Sequence, residues 1–595
     1  MTKTTPMGQL LINSVLPDNH QISGRTTKKS LMALLTSMAN EDPAKYVKVV
    51  TDLKQVGDAV ATNMGITVGL DDIEPEYGPR DKILKGALAK IKGIKDPKER
   101  VKLIDATQQK LMESVATHPG QMTLMAVSGG RGSLAQLMRT VASPVAVVDS
   151  KQNTQPWLIS RSYAEGLKAP DLWAELNESR RNAVETNLSV TVPGEMGKLF
   201  VNTMSDQLVT MADCGTKNGI LLHSDDPHIH DRYVARTGEL ITSSVADRLR
   251  KEGKDVLVRS PMTCEAPHGV CQKCQGLNER GQDHTVGTNV GMRAAQAIAE
   301  PLTQLSLNAK HAVRTTGAGS ATLSGLAGIR QLTSIPQSFT NKATLATRTG
   351  HVTGVKEAPQ GGNYVFVDDK QHYLPPALGV SVKVGDRVEQ GDMLSTGVPK
   401  PDEIVQYKGL GAGRAYLVDA LHTAYGTSGI NLDKRHLELL AKADLNYVRI
   451  MDTDNGDLGV MRGDIVDYNL FRASLANHTK VVPLGDALGE TLSDNVLHHT
   501  AGTRVTQGLA SELRRKGITH VPIGPRVPLH EMIMKPIART PLLNPDVFAR
   551  LGHRNLKESL LEGAATGEHA DIHSTHPVPA LVFGAEFGKG PGGRY

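Results

Sequence analysis

Four cysteines are the residues of this chain whose type and spacing most clearly suggest a chemical site. Cys214 stands alone, whereas Cys264, Cys271 and Cys274 follow as C-x6-C-x2-C. Two cysteines separated by two residues present both sulfurs from one turn, and four thiolates complete a tetrahedral Zn²⁺ shell. A closed shell leaves no open coordination position, so we predict a structural zinc. Four unrelated buried thiols are the alternative, less favoured because three of the cysteines lie within 264–274.

Three histidines in the segment HSDDPHIHDR offer a second set of candidate metal ligands. His223, His228 and His230 lie close together in sequence, and neutral imidazole is a common metal ligand. Single histidines on a protein surface are nevertheless more frequent. The sequence therefore favours surface histidines over a second metal site here.

A second chemically unusual stretch is AAQAIAEPLTQLSLNAKHAVRTTGAG at residues 294–319. It begins as an alanine-rich helix, contains Pro301, and carries Gln304, Asn308 and His311 toward its end. Threonine and glycine follow directly, and such residues favour loops over helices. A core helix would not concentrate polar groups on its last turn. The pattern therefore predicts a functional helix end that leads into a mobile loop.

Composition limits the class of protein that can hold these residues. A chain of 595 residues exceeds what one hydrophobic core usually serves, so we expect several domains. The net charge of +5 permits a polyanionic partner without requiring one. Four cysteines are too few for a disulfide scaffold. Without a bilayer-long apolar run or a signal-peptide core, the sequence indicates a soluble, intracellular protein with no membrane partner.

Hydrophobic periodicity and breakers predict an α+β multidomain fold. Residues 80–118 read as an antiparallel helical hairpin, and 170–208 as one long helix with a kink at Val192-Pro193-Gly194. In VSVKVGDRVEQGDML (380–394), valine alternates with polar residues around two Gly-Asp turns, which predicts a strand–turn–strand. Residues 412–445 are predicted to be helical again. No internal repeat of fixed period is apparent.

Several motifs of this chain resemble the largest, β′-type subunit of multisubunit DNA-dependent RNA polymerases. In that family a zinc cysteine pair precedes a helix of the form AAQSIGEPGTQLT, a histidine and a mobile loop. The matching positions here are Ala294-Ala295-Gln296, Glu300-Pro301, Thr303-Gln304-Leu305 and His311. Further similar segments, in the family's order and nearly end to end, are MGITVGLDD, SGGRGS, ADCGT, VKVGDRVEQGDML, GINLDKRHLE, LKESLLEGAATGEHADI and VFGAEFGKGPGG.

The resemblance implies a series of segments with family roles. These comprise a bridge helix, a mobile trigger loop, a four-cysteine zinc site, small β-rich modules and helical clamp-base segments. The expected boundaries are 1–78 pore or funnel start, 79–125 rim hairpin, 126–170 active-site-adjacent segment, 171–208 bridge helix, 209–289 zinc region, 290–340 trigger helices and loop, 341–402 β-rich jaw-like module, 403–480 helical and β cleft region, and 481–595 clamp-base and switch segments.

The resemblance also indicates what the chain lacks. The family binds catalytic Mg²⁺ on the aspartates of an NADFDGD loop, and nothing here matches that loop. Asp452, Asp454 and Asp457 lie far downstream, where a solvated acidic turn is the better interpretation. We therefore expect the C-terminal portion of a split subunit, with the DxDxD loop and most of the Mg²⁺ binding on another polypeptide.

Carried over position by position, the resemblance gives a set of expected site residues. His311 would reach the triphosphate as a cation or general acid, with Asn308 and Lys310 beside it. Arg131, Leu307 and Gln304 would contact the incoming nucleotide. The expected nucleic-acid contacts of the bridge helix are Arg180, Arg181, Thr186, Val190 and Thr191.

Asn308 stands where the family has an arginine that meets the phosphates, so two functions remain open. One is a working part of an RNA polymerase, and the other is a catalytically degenerate nucleic-acid-binding or assembly subunit. Retention of Arg131, His311 and the glycine-rich loop favours the first. Leu307 replaces a methionine and keeps an apolar contact.

The expected partners and origin follow from the same resemblance. Partners would be the N-terminal half of the β′-type subunit, β-type subunit chains, a promoter-recognition subunit, DNA template, RNA transcript and nucleoside triphosphates. GSATLSGLAGIRQL leaves no room for the large insertion of cyanobacterial and plastid polymerases. The compact form is more similar to the split-subunit polymerases of giant (phiKZ-like) tailed phages. We thus expect the cytoplasm of an infected bacterium, with virion packaging undecided.

Overall fold

The computed structural model divides the chain into two units, Met1–Asn187 and Leu188–Tyr595. None of the helices it describes combines the length and apolar character that a bilayer crossing requires. The residues described are 6–24, 26–41, 43–65, 67–148, 154–253, 255–308, 325–452, 460–475, 479–524, 527–544, 546–553, 556–567, 575–584, 586–587 and 593–594.

The first unit is mainly helical. Its core contains Ile104, Leu111, Val115, Leu137 and Met138, all nearly inaccessible to solvent. One antiparallel strand pair accompanies the helices, and the boundary between the units falls within the last helix. The elements are α1 Met7–Asn13, α2 Lys28–Glu41, α3 Pro43–Met64, α4 Tyr77–Gly93, α5 Pro97–Val115, α6 Gln121–Ser128, α7 Leu134–Val141, β1 Ala146–Val148, β2 Thr154–Leu158 and α8 Ala169–Ser189.

Helices α4 and α5 form the hairpin that the sequence predicted for 80–118. The Asp96 side chain accepts a hydrogen bond from Lys98 N at 2.9 Å, and Pro97 occupies the first helical position. Both features favour a helix start, because the carboxylate satisfies a free N–H and proline has none to satisfy. The Ser114 hydroxyl donates to Glu76 Oε1 at 3.3 Å, which ties the end of α5 to the start of α4. The helices are therefore antiparallel.

The second unit mixes helices with small sheets. The elements are α9 Thr191–Met204, β3 Val209–Met211, β4 Ile220–His223, α10 Ser243–Glu252, β5 Asp255–Val258, β6 Val270–Cys271, α11 Gln272–Gln275, α12 Val290–Asn308, α13 Gly325–Ser334, β7 Gly350–Glu357, β8 Asn363–Val367, β9 Lys370–Leu374, β10 Arg387–Val388, α14 Pro401–Gly426, α15 Lys434–Asp444, β11 Tyr447–Ile450, β12 Ile465–Asp467, α16 Tyr468–Leu475, β13 Lys480–Pro483, α17 Gln507–Arg515, β14 His520–Ile523, β15 His530–Ile533, α18 Val547–Leu551, α19 Leu556–Thr566, α20 Pro577–Val582, β16 Glu586–Phe587 and β17 Gly593–Arg594.

Short sheets surround a helical core in this unit. The largest sheet has the order β10-β7-β8-β9, and a three-stranded sheet has the order β12-β11-β15. The main core is formed by α9, α12, α14 and α15 with Val209, Val258 and Val270 of the sheets. The predicted α+β architecture is confirmed at this level. The helix predicted at 412–445 is two helices, α14 and α15.

The long helix predicted at 170–208 is interrupted at Val190, because α8 ends at Ser189 and α9 begins at Thr191. The interruption lies just ahead of the predicted kink at Val192-Pro193-Gly194, and Val190 itself keeps helical dihedral angles. Pro193 occupies the first turn of α9, where a missing backbone N–H costs no intrahelical bond. Gly194 N donates to Val190 O at 3.1 Å and continues the helix past the proline. The proline therefore starts the second helix instead of bending one long helix.

In the strand–turn–strand predicted at 380–394 the two Gly-Asp turns are confirmed, whereas most of the predicted strand is wrong. Within that stretch only Arg387–Val388 form a strand, which pairs with β7, and Val380 makes a single bridge to Ser395. Asp386 accepts a hydrogen bond from Lys383 N, and Asp392 accepts one from Glu389 N, both at 2.8 Å. Each Gly-Asp step thus closes a tight turn through its carboxylate, which prevents extended pairing.

A strand–hairpin–helix–strand unit occurs twice in the second unit of the chain. The first copy (220–258) contains β4, α10 and β5, and the second copy (480–523) contains β13, α17 and β14. In the first copy Ile220 pairs with Val258 and His223 with Asp255. In the second, Lys480 pairs with Ile523 and Pro483 with His520. Both helices follow T-x2-[V/L]-A-x2-L-R-x2-G. The two copies differ in hairpin length, so they are not a repeat of the fixed period considered in the sequence analysis.

The two copies share the same hairpin hydrogen bonds. Asp231 N donates to Ile241 O and Val234 N to Glu239 O, as Gly489 N does to Val505 O and Leu492 N to Thr503 O. The hairpin tip differs, because it spans 235–237 in the first copy and 493–501 in the second. The copies touch, since Leu221 and Leu257 pack against the core of the second copy.

Candidate functional site

The four cysteines lie on elements that converge in the second unit. Cys214 follows β3, Cys264 follows a 3-10 turn at Pro261–Thr263, and Cys271 and Cys274 flank the start of α11. Parallel pairing of β3 with β6 brings the Cys214 loop beside Cys271. All four sulfurs lie within 4.8 Å of one another. The predicted cysteine cluster is confirmed.

The sulfur geometry fits a tetrahedral metal centre. Cys214 Sγ lies 3.8 Å from both Cys274 Sγ and Cys264 Sγ. Four sulfurs at the usual Zn–S distance of about 2.3 Å would be separated by about 3.8 Å at the tetrahedron edges. Backbone donors also point to the cluster, with Cys271 N donating to Cys264 Sγ and Cys274 N to Cys271 Sγ at 3.3 Å. The cluster could hold a metal such as zinc.

Arg259, at the end of β5, supplies positive charge to the cluster. Its Nε donates to Cys274 Sγ at 3.2 Å and its Nη2 to Cys214 Sγ at 3.4 Å. Nη2 also donates to Asp213 Oδ1 at 2.6 Å. Although burial acts against ionisation, the N–H of Gly215 and the guanidinium hold the pKa of Asp213 below its usual range. A guanidinium against thiolates offsets part of the negative charge of a four-cysteine shell.

The thiols differ in their acidity. Hydrogen bonding from Cys264 lowers the pKa of Cys214. The contact with Cys214 acts in the opposite direction on Cys271, but Cys264 and Cys274 lower the pKa of Cys271 to about 6. Burial raises the pKa of Cys274. Metal ligation requires thiolates, and the cluster therefore already favours some of them without added ligands.

The three histidines near this cluster do not form a metal site together. His223 is exposed and lies 3.4 Å from Asp225 Oδ2. His228 is half-buried, and its Nε2 lies 3.1 Å from the Nε2 of His422 on α14. Desolvation lowers the pKa of His228 and of His422, which favours a neutral pair that shares one hydrogen bond. The expectation of surface histidines holds for His223, whereas His228 is a packed one.

Helix α12, which carries the AAQAIAEPLTQL motif, packs closely along α9. A methyl group at Gly291 would lie 1.9 Å from Met204 O, and one at Gly197 would lie 3.3 Å from Ala299 Cβ. Glycines thus allow the two backbones to approach. The Tyr425 hydroxyl donates to Ile298 O at 2.8 Å, just before Pro301 within α12. These contacts fix the base of the helix whose end was predicted to be functional.

The predicted end of that helix is described only in part. Gln304 is exposed, and its Nε2 donates to Glu300 Oε1 at 2.7 Å. Leu307 and Asn308 are the last residues of α12, and their side chains lie outside the described set. Lys310 and His311 lie within 309–324, which is outside the described residues. Their predicted roles therefore stay predictions.

The other predicted site residues lie on α8, on the break after it, and in the first unit. Arg131 is exposed between α6 and α7, where Gly129 adopts a left-handed φ of 75°. Arg180, Val190 and Thr191 are exposed. Arg181 and Thr186 lie on α8, but their side chains are outside the described set. Asp454 and Asp457 fall in 453–459, also outside it.

Sequence reasoning missed Arg259 as part of the cysteine site. It precedes Cys264 by a short segment that contains Pro261, and a single arginine there gives no signal by itself. Only the pairing of β4 with β5 delivers its side chain to the sulfurs. Arg259 could have been found only from the strand register of the β4–β5 hairpin.

Comparisons with known proteins point to one group. The family model described as RNA polymerase Rpb1, domain 5, matches residues 166–363. DNA-directed RNA polymerase subunit beta′ of Lactobacillus acidophilus is 26% identical over 528 residues, 80% of this chain and 43% of that protein. The subunit beta′ of Oceanobacillus iheyensis is 27% identical over 563 residues, 81% of this chain and 46% of that protein.

A third relative, subunit beta′ of Lactobacillus johnsonii, is 26% identical over 469 residues, 71% of this chain and 38% of its own length. The chain thus spans less than half the length of the curated relatives it matches. It is homologous to a part of the RNA polymerase subunit beta′. The matched segment 166–363 includes the cysteine cluster, α9 and α12.

Proposed function

We propose that this chain is the C-terminal portion of a β′-type subunit and acts in a DNA-directed RNA polymerase only as part of a multisubunit complex. The observation that carries the proposal is the α9–α12 pair. The motif residues lie on α12, this helix is fixed along α9, and both lie within the stretch that matches Rpb1 domain 5. Homology to subunit beta′ over most of the chain supports the same function.

In this proposal α8 and α9 form the bridge helix, with the break at Val190 as its point of flexure. Breaks in a helix absorb backbone rotation without disturbing the segments on either side. Arg180, Arg181, Thr186, Val190 and Thr191 would face nucleic acid along this element. Arg131 would contact the incoming nucleotide, since a guanidinium can bind phosphate oxygens in bidentate fashion.

Helices α12 and α13, with residues 309–324 between them, would form the trigger element. When the matching nucleoside triphosphate binds, α12 would extend and close the site, which excludes water and aligns the reacting groups. His311 would then donate a proton or a positive charge to the phosphates, supported by Asn308 and Lys310. Leu307 and Gln304 would contact the nucleotide itself.

The reaction is an in-line nucleotidyl transfer in which the RNA 3′-hydroxyl attacks the α-phosphate and pyrophosphate leaves. The Mg²⁺ ions, held mainly by the partner chain with the DxDxD loop, would stabilise the attacking and leaving oxygens. A zinc ion at the four cysteines would be structural, because four protein ligands close its shell.

The proposed partners are those of a β′-type subunit. They are the N-terminal half of this subunit, β-type chains, a promoter-recognition subunit, DNA, RNA and nucleoside triphosphates. The short sequence GSATLSGLAGIRQL, which leaves no room for a large insertion, supports an origin among split polymerases of giant tailed phages, acting in the cytoplasm of an infected bacterium. Purification of the chain from infected cells, followed by identification of the bound proteins, tests both the proposed partners and the proposed origin.

One observation favours a second function, a degenerate nucleic-acid-binding or assembly subunit. Asn308 lacks the charge of the arginine found at this place in the family, which removes a phosphate contact. The two functions predict different rates of nucleotide addition for Asn308→Arg. A working trigger element should add nucleotides faster when the charge is restored, whereas a degenerate subunit should show no change.

The test of the main proposal is single-turnover RNA extension on a preassembled primer–template scaffold. His311→Ala in the reconstituted complex should slow each addition by roughly 10², the lower end of the range for one preorganised donor, because Lys310 can compensate in part. Template binding should be unchanged. Leu307→Ala should have a smaller effect and reduce base discrimination, since it removes packing only.

His223→Ala provides the matched control, because His223 is an exposed histidine at the end of β4. It should leave the extension rate unchanged. The chain without partners should not extend RNA, and synthesis by the isolated chain would refute the split-subunit assignment. An unchanged rate for His311→Ala would refute the trigger assignment.

A further inference from the structure

A second cluster of metal-ligating side chains lies outside the cysteine site. His498 and His499 at the hairpin tip of the second copy face Glu512 on α17, and their ligand atoms lie within 4.8 Å of one another. We propose that these three residues bind a divalent transition-metal ion with an open coordination position. Two imidazoles and one carboxylate are a common ligand set for such ions.

The hairpin tip holds the two histidines in a defined position. Val496 and His499 exchange both backbone hydrogen bonds at 3.0 Å, which closes a tight turn. Leu497 within the turn has a φ of 57°, unusual for a bulky residue, and its N–H donates to Asn218 Oδ1. A methyl group at Gly411 of α14 would lie 2.1 Å from His498 O, so the helix backbone rests directly against the tip.

One ring nitrogen of this cluster lacks the partner that its burial requires. The His499 side chain is 7% exposed, and its Nε2 is buried without a hydrogen bond. This atom lies 3.4 Å from Glu512 Oε1, close enough for an ion pair but without hydrogen-bond geometry. A buried nitrogen left unsatisfied is costly. A metal ion between the imidazoles and the carboxylate would supply the missing partner.

The cluster borders a cavity that could supply the remaining ligands. The cavity has a volume of about 1070 Å³ and is lined by the second copy, α14 and residues of the β10-β7-β8-β9 module. His498, His499 and Glu512 all belong to its wall. With three protein ligands, water or a small ligand from the cavity would complete the shell, whereas the cysteine cluster is closed.

The ligand set selects the class of ion. Mg²⁺ and Ca²⁺ prefer oxygen ligands, whereas imidazole favours Zn²⁺, Ni²⁺, Co²⁺ or Cu²⁺. Lys516 Nζ already lies 2.6 Å from Glu512 Oε1, so the ion must compete with this ammonium for the carboxylate. We therefore expect moderate affinity, weaker than that of four thiolates.

The test uses the full-length chain without a histidine tag, purified with its cysteine-bound metal in place and titrated with Ni²⁺ by calorimetry. The wild-type chain should bind about one equivalent of Ni²⁺ and melt at a higher temperature in its presence. His499→Ala and Glu512→Gln should each weaken binding at least about tenfold, because each removes a ligand. Glu512→Gln keeps the size of the side chain and guards against loss of fold.

His520→Ala is the matched control, since His520 is an exposed histidine of β14 in the same copy. It should bind Ni²⁺ like the wild-type chain. Absence of saturable Ni²⁺ binding in the wild type would overturn the proposal. Binding that survives in both ligand variants would also overturn it, because it would identify scattered surface histidines as the site.

Discussion

The two copies of the strand–hairpin–helix–strand unit have the same backbone framework but bring different side chains to their surroundings. The first copy carries Arg259 after its last strand and Arg232 in its hairpin; Arg259 donates to the Cys274 sulfur, and Arg232 donates to the buried Glu438 carboxylate. The equivalent positions of the second copy are Gly524 and Glu490, as the shared hydrogen bonds show. In place of these arginines the second copy has a longer hairpin tip with two histidines.

This difference shows that the strands and helix of the unit fix where its side chains lie. The hairpin tip and the residue after the last strand determine which functional groups are present there. In the shared helix pattern T-x2-[V/L]-A-x2-L-R-x2-G the alanine is buried and the glycine follows the helix end, while the threonine caps the helix through its side chain only in the second copy. Loops tolerate changes in length that a packed core does not, so new ligands arise there at low cost in stability.

The largest effect is expected at the sulfur cluster beside the first copy. Cys274→Ser removes a ligand from a site whose metal should contribute about 10 kcal/mol or more to folding. Metal analysis should show loss of the tightly bound zinc, and hydrogen exchange should show that 209–289 loses protection. The second copy, with its own core around Leu513 and Val521, should keep most of its protection.

A wild-type chain that contains no zinc would contradict the metal assignment directly. Uniform loss of protection in both copies would contradict the separate stability of the second copy. Ser114→Ala serves as a control, because Ser114 lies in the first unit and its hydroxyl donates to the Glu76 carboxylate just before α4.

The next effect concerns the charge that the first copy buries. Arg232 Nη1 and Nη2 donate to the two carboxylate oxygens of Glu438 at 2.8 and 2.6 Å, and both side chains are almost fully buried. Arg232→Met should cost about 3–5 kcal/mol, because Glu438 then remains buried without a cation. Glu490→Gln, at the exposed equivalent position, should change stability by less than about 0.5 kcal/mol.

Chemical unfolding followed by circular dichroism measures both variants. A small effect of Arg232→Met would contradict the cost expected for a buried carboxylate without its cation. The double variant Arg232→Met with Glu438→Leu distinguishes the outcomes, since removing both charges should recover most of the lost stability.

Sequence patterns predicted the cysteine cluster and the α4–α5 hairpin because both depend on short-range signals. The C-x2-C spacing and the Asp96-Pro97 cap each act within one turn. Resemblance to a family correctly indicated homology to subunit beta′. The roles of Arg131, His311 and the bridge-helix residues remain predictions.

The differences from prediction are local. The helix predicted at 170–208 is interrupted at Val190, whereas Pro193 fits the first turn of α9. The valines at 380–388 alternate, but the Asp386 carboxylate closes a turn among them and the Asp392 carboxylate closes another after Val388, so little strand forms. The internal repeat was missed because its hairpin tips differ in length, so that no single offset aligns both halves.

The stability of the chain is expected to depend on pH through Asp444, the second buried carboxylate of α15 besides Glu438. Only Glu438 is reached by an arginine of the first copy, whereas Asp444 accepts a hydrogen bond from the Thr540 hydroxyl at 2.6 Å. Burial raises the pKa of Asp444 to about 7. In the unfolded chain the carboxyl ionises near pH 3.9. The folded state therefore binds more protons between about pH 4 and 7, and stability falls as pH rises through that window.

Asp444→Asn removes this dependence while keeping an acceptor for Thr540. At pH 8 the variant should be more stable than the wild type, by about 4 kcal/mol at most, and near pH 4 the two should be alike. Thermal melting at several pH values measures the difference. Glu438→Gln is the matched control and should instead destabilise the chain, because it leaves Arg232 buried without its anion. A pH-independent difference for Asp444→Asn would contradict the raised pKa.

The smallest effect compares one glycine of each hairpin. Gly238 and Gly502 occupy equivalent positions, donate the same backbone hydrogen bond, and have positive φ values of 71° and 85°. Alanine at either position should cost about 1–2 kcal/mol in backbone strain. A methyl group at Gly238 would meet nothing within 4 Å, whereas at Gly502 it would lie 2.6 Å from His530 Nε2 and 2.8 Å from Met532 Cε. Gly502→Ala should therefore cost about 1–3 kcal/mol more than Gly238→Ala, since a packed neighbour must also move. The free energy of unfolding in urea measures both variants. Equal decreases for Gly502→Ala and Gly238→Ala would mean that the packed neighbours of Gly502 move aside at no measurable cost, so that the longer hairpin is the more adaptable one.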